Sequence, residues 1–397
     1  MSPDLVRGFL VHADPMDEVA HTLPHGRSAC NLGGLHSSVG DEIAARAAAL
    51  AGVGGDGVFM SEVPPTAAEC ARVLREVISG GVGEAWGVGE VVVTRHRRRH
   101  SRFLTEVQAE MDDRTGGGWR KVPLVLKHDS YRSGRSADQA ARQLRAAGLD
   151  RPPYQVVRTI GFHPSGTLVT EHAPGRPWAL SLTGSEADRA VEAVVGFLTV
   201  LQGVSVELPP RPALHEQTLR RLADLAEFAA MHARDGLGAV QWLAELLDPV
   251  LEPIGKVRLV AGHGDLHPKN VYLDRLAAVP PLVTVIDLDH AGMYEPALDV
   301  GYAVCQILVT GTHLSLPQDE LARAAGALWD RYRAHGGPAD DERIAVQVAR
   351  SFVQVLHFEL IGYGGGDRRT LAPWARLATE VLDEGSGALR RLVRSTR

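Results

Sequence analysis

Residues 259–273 read Leu-Val-Ala-Gly-His-Gly-Asp-Leu-His-Pro-Lys-Asn-Val-Tyr-Leu, and residues 283–289 read Val-Thr-Val-Ile-Asp-Leu-Asp. The first stretch is an apolar entry, a polar loop and an apolar exit; the second is a short apolar strand that ends in acids. Asp265 and Asn270 stand in a D-x-x-x-x-N spacing, which lets a loop turn back and present both side chains to one site. Asp287 arrives at the end of the next strand. A carboxylate to align a hydroxyl, plus two oxygen donors suited to hard Mg²⁺, is what phosphoryl transfer asks of a protein, because the reaction depends on positioning and charge neutralisation.

Taken singly, Asp before a strand is a turn former and His-Gly-Asp is a common tripeptide. Together, His263-Gly264-Asp265-Leu266-His267-Pro268-Lys269-Asn270, Ile286-Asp287-Leu288-Asp289 and Glu295-Pro296-Ala297-Leu298-Asp299-Val300-Gly301 resemble the aminoglycoside phosphotransferase and choline kinase-like family. The resemblance covers about residues 85–310 and leaves the first 60 or so unaccounted for. It implies the bilobal protein-kinase-like fold, an α+β architecture with a small antiparallel-sheet N-lobe and a larger, mostly helical C-lobe. It implies ATP and Mg²⁺ as cofactors, Asp265 as the catalytic carboxylate, and Asn270 and Asp287 as metal ligands. His263 and Asp299 are implied to brace the catalytic loop. Asp289 stands where the D-F-G segment of protein kinases has glycine, which argues against a close relative among protein kinases.

Outward from this segment, the pattern divides the chain into residues 1–60, an extension of unknown role; 61–172, an N-lobe; and 173–397, a helical lobe. Helices are expected over 41–51, 64–78 and 136–147, and Thr66 with Glu69 fits a capping box. Strands are expected near 91–94, 103–110, 122–127, 154–160 and 167–170. Beyond residue 186 the periodicity is helical over 186–204, 216–233, 239–251 and from 318 onward, with a break at 362–366.

Lys127 ends an apolar strand in a chain with only four lysines, and matches the lysine that kinases place on the α- and β-phosphates. Its usual glutamate partner is missing from the helix at 136–147. Asp138 is the only acid there and is assigned the pairing, with Gln139 and Gln143 as neutral substitutes. Glu171 and Ala173 match the hinge, where a backbone carbonyl and N–H would meet adenine. No G-x-G-x-x-G covers the phosphates. Arg97, Arg98 and Arg99 lie in the turn between the first two strands, as a phosphate cradle or as an ordinary solvated turn.

Net charge is −6, and residues 171–397 hold 29 acids against 22 bases. This balance excludes nucleic acid as a partner, since phosphate backbones demand clustered cations, and it leans toward a cationic acceptor. Three well-separated cysteines, Cys30, Cys70 and Cys305, fit free thiols in the cytoplasm. No signal segment or membrane-length apolar run is read. The expected activity is transfer of the γ-phosphate to a hydroxyl of a small molecule, such as an antibiotic or other natural product. Two alternatives are a kinase acting on Ser or Thr of a peptide, and a nucleotide-binding pseudokinase scaffold.

Overall fold

Thr66 and Glu69 cap each other: the Thr66 N–H donates to Glu69 Oε2 at 2.7 Å and the Glu69 N–H to Thr66 Oγ1 at 3.2 Å. The capping box starts α1 (Ala67–Gly81), whose Cys70, Val73, Leu74, Val77 and Ile78 are buried on one face. A computed structural model describes residues 63–81, 86–99, 102–113, 118–128, 133–211, 214–252 and 257–395. The helix expected over 41–51 and Cys30 lie outside the described residues.

The α1 face packs on an antiparallel sheet of order β1-β2-β3-β7-β6, built from β1 (Trp86–Arg99), β2 (Arg102–Asp113), β3 (Gly118–His128), β6 (Thr159–His163) and β7 (Thr167–Glu171). Strand alternation sorts the side chains. Val107, Ala109, Met111, Leu124 and Leu126 enter the core with α1, so Leu104, Glu106, Val125 and Lys127 take the opposite face. Leu104 pairs with Lys127, and Lys127 with Leu168. A slip of one residue would turn the lysine into the core, so burial of the other face sets its direction.

The strand expected over 154–160 is two strands serving different sheets. β5 (Tyr154–Val156) runs parallel to β11 (Leu282–Val285), and Thr159–His163 pairs with β7. β5 also pairs with β4 (Asp150–Arg151), and the second sheet continues through β10 (Val271–Asp274) to β8 (Arg176–Pro177). The helix after β3, α2 (Ser133–Ala146), buries Ala137, Ala140, Ala141 and Leu144 in the core of the helical lobe. Its small residues let it lie close to the turn Leu288–His290. Thus α2 and residues 150–156 precede residue 172 yet share the second core.

That core is filled by α3 (Ala187–Gly203), α4 (His215–His232), α5 (Arg234–Leu251), α6 (Ala297–His313), α7 (Gln318–Ala334), α8 (Asp341–His357) and α9 (Leu371–Glu384), with α10 (Ser386–Ser395) closing the chain. α8 runs on into a π-helical turn, Phe358–Gly362. The span Asp341–Gly362 is long and apolar enough by composition to cross a membrane, but 72% of its most apolar window is buried, which identifies a core helix. Two more short strands, β9 (Val260–Gly262) and β12 (Gly292–Tyr294), pair antiparallel and frame the polar loop.

Candidate active site

The loop from His263 to Asn270 joins β9 to β10. Asp299, in the first turn of α6 and 2% exposed, accepts the His263 N–H at 2.6 Å and the Gly264 N–H at 2.8 Å. Burial pushes the Asp299 carboxyl above its usual range, against these two donors. Gly264 takes φ +78, where a Cβ would stand 2.5 Å from the His290 carbonyl. His263 Nε2 lies 2.8 Å from the Ile286 carbonyl, an acceptor only, so Nε2 carries the proton. Nδ1 then accepts the Asp265 N–H at 3.2 Å. One imidazole thereby couples the Asp265 loop to the strand end that delivers Asp287.

Asn270 Nδ2 donates to the Asp265 carbonyl at 3.1 Å and to its carboxylate at 3.3 Å, which leaves the amide oxygen to face elsewhere. The Ile286 N–H donates to the Asn270 carbonyl at 2.9 Å. This extends the β10–β11 pairing and sets Asn270 and Asp287 one residue out of step. Asp287 adopts φ 63, a left-handed conformation uncommon outside glycine and concentrated at functional sites.

Lys127 reaches this cluster from the sheet lobe. Its ammonium donates to Asp287 Oδ1 at 2.7 Å and to Asp289 Oδ2 at 2.5 Å. Burial works against the lysine charge, but the two carboxylates outweigh it and hold its pKa above the ordinary value. Burial likewise opposes ionisation of Asp287, and the ammonium holds that carboxyl below its usual range. One cation against two buried or half-buried carboxylates leaves a net negative centre between the lobes.

The sequence model of the phosphotransferase enzyme family matches residues 86–335, from the first strand through α7. The chain belongs to this family. It is therefore a phosphotransferase, a small-molecule kinase that uses a nucleotide. Among solved structures, a Plasmodium vivax ethanolamine kinase is similar at 10% identity, over 84% of this chain and 93% of that one, with a TM-score of 0.51. A choline/ethanolamine kinase family protein from Mesorhizobium loti is 15% identical over 81% and 98% of the two chains, TM-score 0.48. A macrolide 2'-phosphotransferase type I is 17% identical over 79% and 98%, TM-score 0.47. The first of these likenesses supports the bilobal kinase-like fold. No curated protein matches the sequence.

In this phosphotransferase Asp138 does not pair with Lys127. Its carboxylate takes Arg142 Nε at 3.0 and 3.1 Å, one turn along α2, where a neighbour at i+4 is reached more readily than a lysine on another element. The lysine's partners come from the other lobe instead. The Glu171 side chain meets Arg158 at 3.1 Å and its N–H donates to the Arg158 carbonyl at 2.9 Å, while the His172 N–H goes to Pro123. Ala173 is buried, and its N–H finds no acceptor among the described residues. The arginines expected in a turn lie in β1 instead, paired with β2 through Arg99: Arg97 pairs with Glu106 at 2.5 Å and Arg98 lies 5.6 Å over the Phe103 ring; His100 and Ser101 lie outside the described residues.

Two further groups belong to the site. Asp289 is 8% exposed and shares the lysine; its position two residues beyond Asp287 was legible, its engagement was not. Tyr302, 5% exposed on α6, has a hydroxyl that accepts from Gln306 Nε2 at 3.1 Å. Burial and the Asp265 charge push the phenol well above its ordinary pKa. The only available signal was helical spacing from Asp299, which puts Tyr302 on the same face one turn later.

Proposed function

We propose that the chain transfers the γ-phosphate of ATP to a small-molecule hydroxyl that Asp265 orients, and that the convergence of Asp265, Asn270 and Asp287 with Lys127 is the observation carrying this reading. Asp265 accepts the acceptor's hydroxyl hydrogen bond and takes up its proton as the new P–O bond forms. The bond from the γ-phosphorus to the β–γ bridging oxygen breaks, and ADP leaves. Lys127 binds the nucleotide phosphates once they displace it from Asp287 and Asp289. The Ala173 N–H, with the Glu171 carbonyl, meets the adenine edge.

The donor set suits Mg²⁺. Asn270 spends its N–H on Asp265 and keeps an amide oxygen, and Asp287 adds a carboxylate, both hard ligands. Among the described residues no group of three His, Cys, Asp or Glu side chains is arranged to hold a metal. A cation here would take its other ligands from phosphate and water, which is the habit of Mg²⁺. Bound there, it neutralises phosphate charge. His263 and Asp299 act one step back, by fixing the loop that carries Asp265.

Buried Cys70 and Cys305, both free thiols, favour a reducing, cytoplasmic setting, and inactivation of an antibiotic is one use such an activity serves. Some acids of the helical lobe are engaged in ion pairs, among them Asp188 with Arg331, Asp224 with His357, Asp330 with Arg390 and Glu380 with Arg391. The test is ADP release driven by added alcohols. Asp265→Asn and Asp287→Asn are expected to abolish it while the fold persists, and full activity in both variants would sink the reading.

A further inference from the structure

The sheet lobe carries a second concave site, on the face away from Lys127. Cross-strand partners share one face of a sheet. Met111 pairs with Arg120, Asp113 with Trp86, and Leu124 with Glu171, and both Met111 and Leu124 pack with α1. Trp86, Arg120 and the Glu171 side chain therefore stand on the α1 face, across the sheet from the lysine. There they border a cavity of about 510 Å³, counted to its open mouth, the size of a small-molecule pocket.

The buried part of its lining is apolar, from Ile78, Met111 and Ile160. The more exposed part is cationic: Arg120, Arg142 and Arg158 line the cavity together with one carboxylate, Glu171. A different contact sets each guanidinium. Arg120 lies 5.0 Å over the Trp86 ring and has no carboxylate in ion-pair reach among the described residues. Arg142 donates from Nη2 to the Ile160 carbonyl at 3.4 Å while Asp138 holds its Nε at 3.0 Å. Arg158 donates to Glu171 Oε1 at 3.1 Å, with both side chains more than a third exposed. A pair so exposed is worth little, so an anion in the cavity can draw Arg158 from Glu171.

Guanidinium forks match carboxylate and phosphate alike, and their weak hydration suits them to aromatic and apolar surroundings. We propose that this cavity is a second ligand site, separate from the nucleotide and acceptor sites, for a small molecule bearing a carboxylate or phosphate on an apolar body, and that its occupant lowers nucleotide affinity through Glu171. The Glu171 carboxylate is turned to the cavity, and its N–H is held by the Arg158 carbonyl at 2.9 Å. Its own carbonyl belongs to the hinge. Withdrawing Arg158 toward a bound anion loosens both holds on this hinge residue. The link to nucleotide rests on the hinge reading above; binding in the cavity does not.

The test is calorimetric titration of the full chain with 2-naphthoate and 2-naphthyl phosphate as anionic probes and 2-naphthalenemethanol as the neutral one. It is repeated in Arg120→Gln, which removes an exposed charge that makes no hydrogen bond to another described residue and so should keep the melting point. A naphthyl anion is expected to bind the wild type about 10–100-fold more tightly than the neutral probe does, and to lose about the same factor in Arg120→Gln, the worth of a charge-assisted hydrogen bond. Preference between the two anions tells carboxylate from phosphate. Saturating probe should weaken Mg²⁺–ADP binding about fivefold and then no further, a coupling at the low end of those between linked sites. No binding of either anion, equal affinity in Arg120→Gln, equal affinity for the neutral probe, or unchanged ADP affinity overturns the proposal. So does a loss of ADP affinity that grows without limit, which marks competition for the nucleotide site. The kinase reading fails differently: Mg²⁺–ADP then does not bind at all, while probe binding and its loss in Arg120→Gln are still read.

Discussion

Replacing Gly264 by alanine separates two costs that the catalytic loop imposes. At φ +78 any side chain is strained by about 1–2 kcal/mol, because Cβ approaches the following carbonyl. Gly264 adds a steric conflict, since the new Cβ would lie 2.5 Å from the His290 carbonyl and against the Tyr294 hydroxyl. The backbone atom cannot rotate away, and forced overpacking of this kind costs about 1–3 kcal/mol more. Gly336 is the control, with φ +75 and nothing within 4 Å of the added Cβ. Gly336→Ala should lower the melting temperature by about 2–8 °C, at about 2–4 °C per kcal/mol for a domain of this class. Gly264→Ala should lower it roughly twice as far. Only Gly264→Ala should also lose turnover, by about 100-fold, because Asp265 is the next residue and a displacement near 1 Å costs that much. Thermal unfolding and ADP release on the same preparations read both effects. Equal losses of stability in the two variants, with equal turnover, would refute the claim that the loop is held by contact rather than by conformation alone.

Asp299→Asn keeps one acceptor for the two loop amides and turns an N–H toward the other, so it should cost about 1–3 kcal/mol in urea unfolding. Unchanged stability would remove Asp299 from its bracing position. Tyr302→Phe deletes a buried hydroxyl that is electrostatically coupled to Asp265 and should lower kcat about tenfold with KM for ATP unchanged, the worth of a polar interaction with a charged group. A matching rise in KM for ATP would mean general loosening instead. Lys127→Met leaves Asp287 and Asp289 facing each other without their cation, and should cost about 3 kcal/mol while raising KM for ATP steeply. The same variant checks a pH dependence. The Asp287 carboxyl is depressed below its usual 3.8 in the folded chain, so its contribution is present above that value and lost as pH falls through the folded one. The stability difference between wild type and Lys127→Met should therefore shrink as urea titrations move from neutral pH to below the ordinary carboxylate pKa. A constant difference would show that the ion pair does not hold the lobes.

Elements with strong local signals were legible: Thr66 and Glu69 announced α1, alternation announced β2 and β3, and the apolar flanks of the catalytic loop announced β9 and β10. Residues 154–160 were misjudged because Tyr154–Val156 and Thr159–His163 are each too short to display which sheet they join. The pairing of Lys127 with Asp287 and Asp289 spans 160 and 162 residues, and nothing local encodes such a contact. Asp138 failed as a partner for the converse reason: Arg142 on its own helix satisfies it first.

By itself the sequence determined the reaction class, because Asp265, Asn270 and Asp287 are chemically apt at spacings that a loop and a strand end converge almost regardless of context. Composition could not say where the acids of the helical lobe lie. Only the tertiary structure decided that many of them are paired, while Arg221 and Arg350 are buried with no carboxylate bonded to them among the described residues. Charge summed over a chain is blind to position, and the energy of a buried charge depends on its immediate neighbours.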